Sequence, residues 1–398
     1  MKESPEKKSK ILSRGRQKQI NNPSFIVHIK PLDNELLTSW LTRTAFAHNM
    51  QATTFLNIYI INGRNFLARR DLDFYNDDDF FKVLYSKTIF IQDEILSMSI
   101  RSEEGFLYNC NNCLVVPHQI RKPIYKRSNY GMMFCPKCLS EDKIPYWRKK
   151  WRYDFYTACP KHKIFLSDRC GSCYERIRVT KMNVSDKVVF CSKCGRDLSI
   201  TRPAKVPEEC LIGLDAIKWF EKALEQGYFT IGNDKIWSVL FFQVYNRFKL
   251  LLDRKEDLIL REFEMLDKYQ QLCKKLENYD SKKGAPVYKN FFLNAMVYHL
   301  FQDFPKNFVN FVKDNNFTYR DFMHALKNVP FWYKEMIEEH VPKQDTVGRE
   351  ITKEEVLGVI KYLKSQNKKV TQMEVARIID CHFSKNKGFM KIYKSIKM

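Results

Sequence analysis

The spacing of cysteine and histidine between residues 135 and 194 limits what this chain can fold into more than any other feature. Cys135-Pro-Lys-Cys138 is followed, after a twenty-residue insert, by Cys159-Pro-Lys-His162; Cys170-Gly-Ser-Cys173 is followed, after a seventeen-residue insert, by Cys191-Ser-Lys-Cys194. Two residues between ligands let the backbone turn once and aim both donor atoms at one ion, and two such turns complete a tetrahedron. The pattern predicts two structural zinc ions, one on Cys135, Cys138, Cys159 and His162, the other on Cys170, Cys173, Cys191 and Cys194. A catalytic zinc keeps one position open for water, and both sets here are full, so the metal is expected to hold shape. Disulfides in a secreted chain are the alternative, but the first twenty residues are basic and polar rather than an apolar leader.

Charge points to the partner. The chain carries 68 Lys+Arg against 46 Asp+Glu, a formal +22. Residues 121–210 hold 21 basic and 9 acidic side chains, so more than half of the surplus lies around the predicted zinc sites. A surplus of this size implies a polyanion, either a phosphate backbone or an anionic membrane surface. No apolar run reaches the eighteen or so residues of a spanning helix, and cysteines used as ligands indicate a reducing cytoplasm, so double-stranded DNA is preferred over a membrane. Arg148, Lys149, Lys150 and Arg152, in the first insert, are the expected phosphate contacts there. Trp147 and Trp151, at i, i+4, are expected to pack on one side between the knuckle and a neighbouring helix.

At 398 residues several domains are expected, in a mainly α, multidomain chain. Residues 1–24 read as a disordered basic arm; 25–120 as a helical domain; 121–205 as the tandem zinc-finger region; 206–342 as a helical domain; 343–398 as a C-terminal helix-turn-helix. Between Leu36 and Ile60 the apolar period implies two short helices split at His48 and Asn49, and further helices are expected at Phe80–Leu84 and Asp93–Ile100. Asp77 to Asp79 read as first-turn helix charges. Cys110-Asn-Asn-Cys113 lacks a second ligand pair and reads as free cysteines or a half-site; Cys210, Cys273 and Cys381 read as core residues. Thr352-Lys-Glu-Glu355 and Thr371-Gln-Met-Glu374 are capping boxes opening two helices. A third, basic helix follows, in which Lys385, Asn386 and Lys387 sit at the first turn and Lys391 beyond it, the position from which a helix-turn-helix reaches the major groove.

Ordered pieces of residues 31–198 resemble the TniQ/TnsD family of bacterial transposon target-selection proteins. They are Pro31-Leu-Asp-Asn-Glu-Leu-Leu-Thr-Ser-Trp-Leu41, Arg70-Asp-Leu-Asp73, Phe134-Cys-Pro-Lys-Cys-Leu139, Tyr146-Trp-Arg148, Trp151-Arg152, Cys159-Pro-Lys-His162 with Leu166, and Cys170-Gly-Ser-Cys173 closing on Cys191-Ser-Lys-Cys194-Gly195. The resemblance implies an N-terminal helix-turn-helix-like domain, tandem zinc fingers and a helical C-terminal half. It also implies a bacterial protein that binds a DNA attachment site, or alternatively docks on a CRISPR guide-RNA (Cascade) complex, and recruits a TnsC/TniB-like AAA+ ATPase and the transposase. Residues 211–398 match only by architecture. The residues themselves agree in one respect: no glycine is followed by Lys, so no Walker A loop is present, and neither HExxH nor H-x-E occurs. A non-enzymatic adaptor is the expectation, with a zinc-containing transcription regulator as the reading from another class. The acidic stretch around residues 71–104 is the expected docking face for a protein partner.

Overall fold

The structure is a computed structural model that describes residues 24–60, 71–74, 78–109, 116–122, 131–253, 286–315, 317–324, 326, 328–342, 351–366, 368–379 and 387–397. Cys110, Cys113, Asp77, Cys273, Cys381, Lys385, Asn386 and the arm 1–23 fall outside these residues. The chain forms two compact units, residues 1–308 and 309–398.

Unit one begins with four helices: α1 (Leu37–Ala47), α2 (Ala52–Tyr59), α3 (Asp78–Lys87) and α4 (Gln92–Ser97). Trp40, Leu41, Phe55, Leu56, Phe81, Leu84 and Ile95 from all four share one core. Helix α1 is buried almost all round, which is possible because its polar residues find partners. Thr42 and Thr44 donate back to the carbonyls of Thr38 and Trp40 at 2.7 and 2.9 Å. Asp78 and Asp79 lie in the first turn of α3, as expected of acidic residues at a helix N-terminus.

The irregular middle contains α5 (Pro136–Glu141) and a two-stranded ribbon of β1 (Ala158–Cys159) and β2 (Ile164–Phe165). It is stitched to the N-terminal helices through backbone: Leu36 N–H donates to Trp147 O at 2.8 Å and Lys149 N–H to Asn34 O at 2.7 Å.

The rest of unit one packs α6 (Ile212–Gln226), α7 (Ser238–Asp253) and α8 (Pro286–Phe301) around an aromatic core of Phe220, Phe229, Phe241, Phe242 and Phe301. A side chain at Gly213 would come within 2.6 Å of the Phe291 ring, so only glycine lets α6 approach α8 this closely. Gly227, at φ 82, ends α6 and starts a β-hairpin, β3 (Tyr228–Ile231) and β4 (Asp234–Trp237), that the helical reading of residues 206–342 did not anticipate.

Unit two contains α10 (Tyr319–Met323), α11 (Phe331–His340) and three helices, α12 (Lys353–Ser365), α13 (Gln372–Ile378) and α14 (Lys387–Lys397); α9 (Lys306–Asp314) spans the boundary between the units. The last three enclose Val356, Ile360, Leu363, Val375, Ala376, Phe389 and Tyr393. Thr352 and Thr371 cap α12 and α13 as their sequences predict, accepting from Glu355 N–H at 3.2 Å and Glu374 N–H at 3.1 Å.

Candidate metal centres and their surroundings

Three of the four ligand turns are built the same way. Lys163, Tyr174 and Gly195 each lie four residues after the first cysteine of a pair, at φ 52, 56 and 70, and each donates its N–H to that cysteine's carbonyl at 2.8 to 3.0 Å. The tight turn swings the second donor back beside the first. The fourth turn instead enters α5: Cys135 is its N-cap, the sulfur accepting from Cys138 N–H at 3.5 Å, and Pro136 takes the first helical position, where no N–H is needed.

These turns bring the donors together in two groups, Cys135, Cys138, Cys159 and His162, and Cys170, Cys173, Cys191 and Cys194, the donor atoms of each lying within 4.8 Å of one another. In the first group Cys138 Sγ lies 3.7 Å from Cys159 Sγ, and His162 Nδ1 lies 3.3, 3.4 and 3.4 Å from the three sulfurs. In the second, two sulfur pairs lie 3.6 Å apart. A tetrahedral zinc with bonds of about 2.3 Å to sulfur and 2.0–2.1 Å to nitrogen sets its ligands about 3.5–3.8 Å apart. Both groups therefore have the donor set and the dimensions of a closed metal centre. They differ in shelter: the cysteines of the first are buried, whereas Cys194 is exposed and Cys173 half-exposed. Desolvation pushes the Cys173 thiol up to about 12, while a backbone hydrogen bond from Arg196 holds Cys194 down to about 7.

The first insert packs against everything around it. Trp147 and Trp151 are buried at 0% and 2% exposure, their rings edge-to-face with centroids 5.9 Å apart. Trp147 Nε1 donates to Val188 O, in the insert of the second group, at 3.0 Å. The packing expectation for these rings is met, but not through an α-helix: Trp147 precedes a 3-10 turn over Lys149–Arg152.

The four basic residues expected to grip phosphate are each met by a carboxylate, Lys150 while still half-exposed. Arg152 is 2% exposed, with Nη1 2.8 Å from Asp73, Nη2 2.5 Å from Asp71, and Nε donating to Arg121 O at 2.9 Å. Asp73 also accepts from Thr38 N–H and Oγ1 at 2.8 and 3.0 Å, and burial pushes its carboxyl up to about 7 against the pull of Arg152. Lys149 meets Glu103 at 2.6 Å, Ser97 O at 2.9 Å and Ser102 Oγ at 2.7 Å. Arg148 pairs with Asp142 at 2.7 Å over the Tyr146 and Trp151 rings, and Lys150 with Glu221 at 3.0 Å. Lys149, Lys150 and Arg152 tie the insert to the N-terminal region and α6, whereas the Arg148–Asp142 pair lies within the insert itself. The same contacts turn Asp71 and Asp73 away from the docking face expected of the acidic stretch.

Other cations do reach solvent. Lys163, Arg178, Lys181, Lys187, Arg202 and Lys205 are exposed and, among the described residues, meet no carboxylate. Two of them share one ladder: Phe165 N–H donates to Ala204 O at 3.0 Å and Val206 N–H to Lys163 O at 2.9 Å, so Lys205 runs beside Lys163, with Arg202 three residues before it in the chain. Sequence reasoning passed over them because charge counts say nothing about pairing.

Residues 26–166 match the model of the TniQ family. This region is a TniQ domain. The match takes in the four N-terminal helices, the Asp71/Asp73–Arg152 network and the whole first donor group, and ends before the second. A TniQ domain implies a transposition-associated target-selection or adaptor protein. No curated protein matches the chain. Among the described residues no helix is long and apolar enough to cross a membrane.

Proposed function

We propose that this TniQ protein is a non-enzymatic target selector, shaped by two structural zinc ions, that binds duplex DNA and brings the transposon's AAA+ ATPase and transposase to it. The observation that carries the reading is the pairing of a TniQ domain with two closed four-donor groups beside exposed, unpaired cations. Closed donor sets give zinc no reacting position, so the metal serves rigidity, and rigidity fixes where the cations stand. Lys163, Arg202 and Lys205 replace Arg148, Lys149, Lys150 and Arg152 as the proposed phosphate contacts. A second contact is proposed at the C-terminal three-helix core, where Phe389 and Tyr393 face inward and Lys391 is exposed on α14. Lys385, Asn386 and Lys387 at its start are the proposed base readers if DNA is read directly.

The test is DNA affinity against salt for the wild type and the Lys163→Ala/Arg202→Ala/Lys205→Ala variant. Each phosphate contact contributes about 0.9 to the slope of log K against log salt, so three lost contacts flatten it by about 2.7. An unchanged slope with unchanged affinity would remove this face from the interface. Asn386→Ala is expected to cost about 1–3 kcal/mol on the specific site and little on random DNA. Equal losses on both, or none on either, would move target reading to a guide-RNA complex.

A further inference from the structure

We infer that Glu141 is a positioning residue for the first metal centre, fixing which nitrogen of His162 faces the ion; the inference rests on the zinc reading above. His162 Nδ1 points at the three sulfurs, at 3.3 to 3.4 Å, and its other nitrogen, Nε2, lies 2.9 Å from Glu141 Oε2. A neutral imidazole carries one proton. With Nδ1 given to a metal, that proton sits on Nε2 and is donated to a carboxylate placed to accept it.

The sequence builds this geometry from one short helix. Cys135 caps α5, Cys138 lies within it and Glu141 is its last residue, so Cys135 and Cys138, and Cys138 and Glu141, are each three residues apart and neighbours on the helix surface. The helix that delivers two thiols to the ion thereby also delivers the acceptor for the imidazole. Lys161, beside His162 in the chain, also donates to that oxygen of Glu141, at 2.6 Å, in a solvent-exposed pair. Charge favours the arrangement as well: the ring becomes more basic as it shares its Nε2 proton, and binds a cation more tightly. The second donor group has four thiols and no imidazole, so it needs no such partner.

The test uses the full-length, zinc-loaded chain with 15N-histidine, which is tractable because the chain has only 8 histidines. Long-range 1H–15N spectra of the wild type are expected to show His162 metal-bound at Nδ1 and protonated, with slow exchange, at Nε2. Glu141→Ala is expected to speed that exchange and weaken one of the two zinc ions about 10- to 100-fold in competition with a chelator. Glu141→Gln, whose carbonyl oxygen still accepts, should keep the tautomer and lose less affinity. Lys161→Ala, which leaves the His162–Glu141 contact in place, should stay within about twofold of the wild type.

Wild-type affinity and wild-type Nε2–H exchange in Glu141→Ala, with three-sulfur, one-nitrogen coordination intact, would overturn the role of Glu141 alone. Equal losses in Lys161→Ala and Glu141→Ala would assign the effect to the surface ion pair and overturn it too. A wild type with no ion coordinated by three sulfurs and one nitrogen would instead overturn the zinc reading, before any variant is made.

Discussion

Arg152→Ala is expected to unfold the TniQ domain rather than to weaken its hold on DNA. The guanidinium is 2% exposed and ties together Asp71, Asp73 and the carbonyl of Arg121. Removing it strands a carboxylate in the interior: Asp73 is 1% exposed and keeps only its hydrogen bonds from Thr38. Losing one partner of a buried ion pair costs about 3–5 kcal/mol, because the other charge remains desolvated. At roughly 2–4 °C per kcal/mol for a unit of this size, the melting temperature should fall by about 6–20 °C. Adding Asp73→Asn removes the stranded charge and should restore about 1–3 kcal/mol, a coupling that a double-mutant cycle measures directly. The assay is urea and thermal unfolding of all three variants, with DNA affinity measured on whatever remains folded. If Arg152→Ala keeps the wild-type melting temperature and loses DNA binding, the side chain faces phosphate after all and the burial argument fails.

Three other outcomes follow from the same contacts. Trp147→Ala empties a fully buried site between Phe134 and Trp151 and should cost about 3–5 kcal/mol, read by the same unfolding curves; a stable variant would contradict the packing account. Chelator should strip metal in two phases, the exposed second centre first, since Cys194 lies open while the cysteines of the first centre are buried; Cys194→Ser should abolish the fast phase, and single-phase release would show that exposure does not govern lability. Cys135→Ser should collapse the middle of the protein, seen as loss of protease resistance between the N-terminal helices and α6, because a knuckle has too little core to fold without its ion; unchanged resistance would mean the metal is dispensable for the fold.

Local signals in the sequence carried through to the structure where the physics is local. Ligand spacing located both donor groups, because a two-residue gap geometrically requires a turn. The caps at Thr352 and Thr371, and the paired short helices α1 and α2, depend on residues within one or two turns of each other. Pairing over long distances was not legible. Arg152 and Asp73 are 79 residues apart in the chain and Lys150 and Glu221 are 71 apart, so the run of basic residues beside the zinc knuckle gave no sign of the carboxylates that meet it. Two clues were present: the Arg148–Arg152 run is interrupted by Trp151, an unlikely neighbour for solvent-facing cations, and Asp71-Leu-Asp73 alternates as a buried strap would. The hairpin at residues 228–237 was passed over although Phe229 and Ile231 alternate with polar residues before Gly232-Asn233, because the strong helical periods on both sides drew it into one segment. Glu141 was invisible for another reason: a carboxylate three residues after a ligand has meaning only once the imidazole's orientation is known.

The central claim, that a zinc-shaped TniQ protein acts by bringing other proteins to DNA and performs no chemistry itself, is tested most directly by reconstitution. Purified protein, a TnsC/TniB-like AAA+ ATPase and labelled DNA are mixed, and ATPase occupancy on the DNA is measured together with strand cleavage. The account predicts that the ATPase occupies the DNA only when the TniQ protein is present, that Lys163→Ala/Arg202→Ala/Lys205→Ala lowers this occupancy, and that the TniQ protein alone leaves every strand intact. ATPase loading that ignores the TniQ protein, or metal-dependent cleavage by the TniQ protein alone, would contradict it.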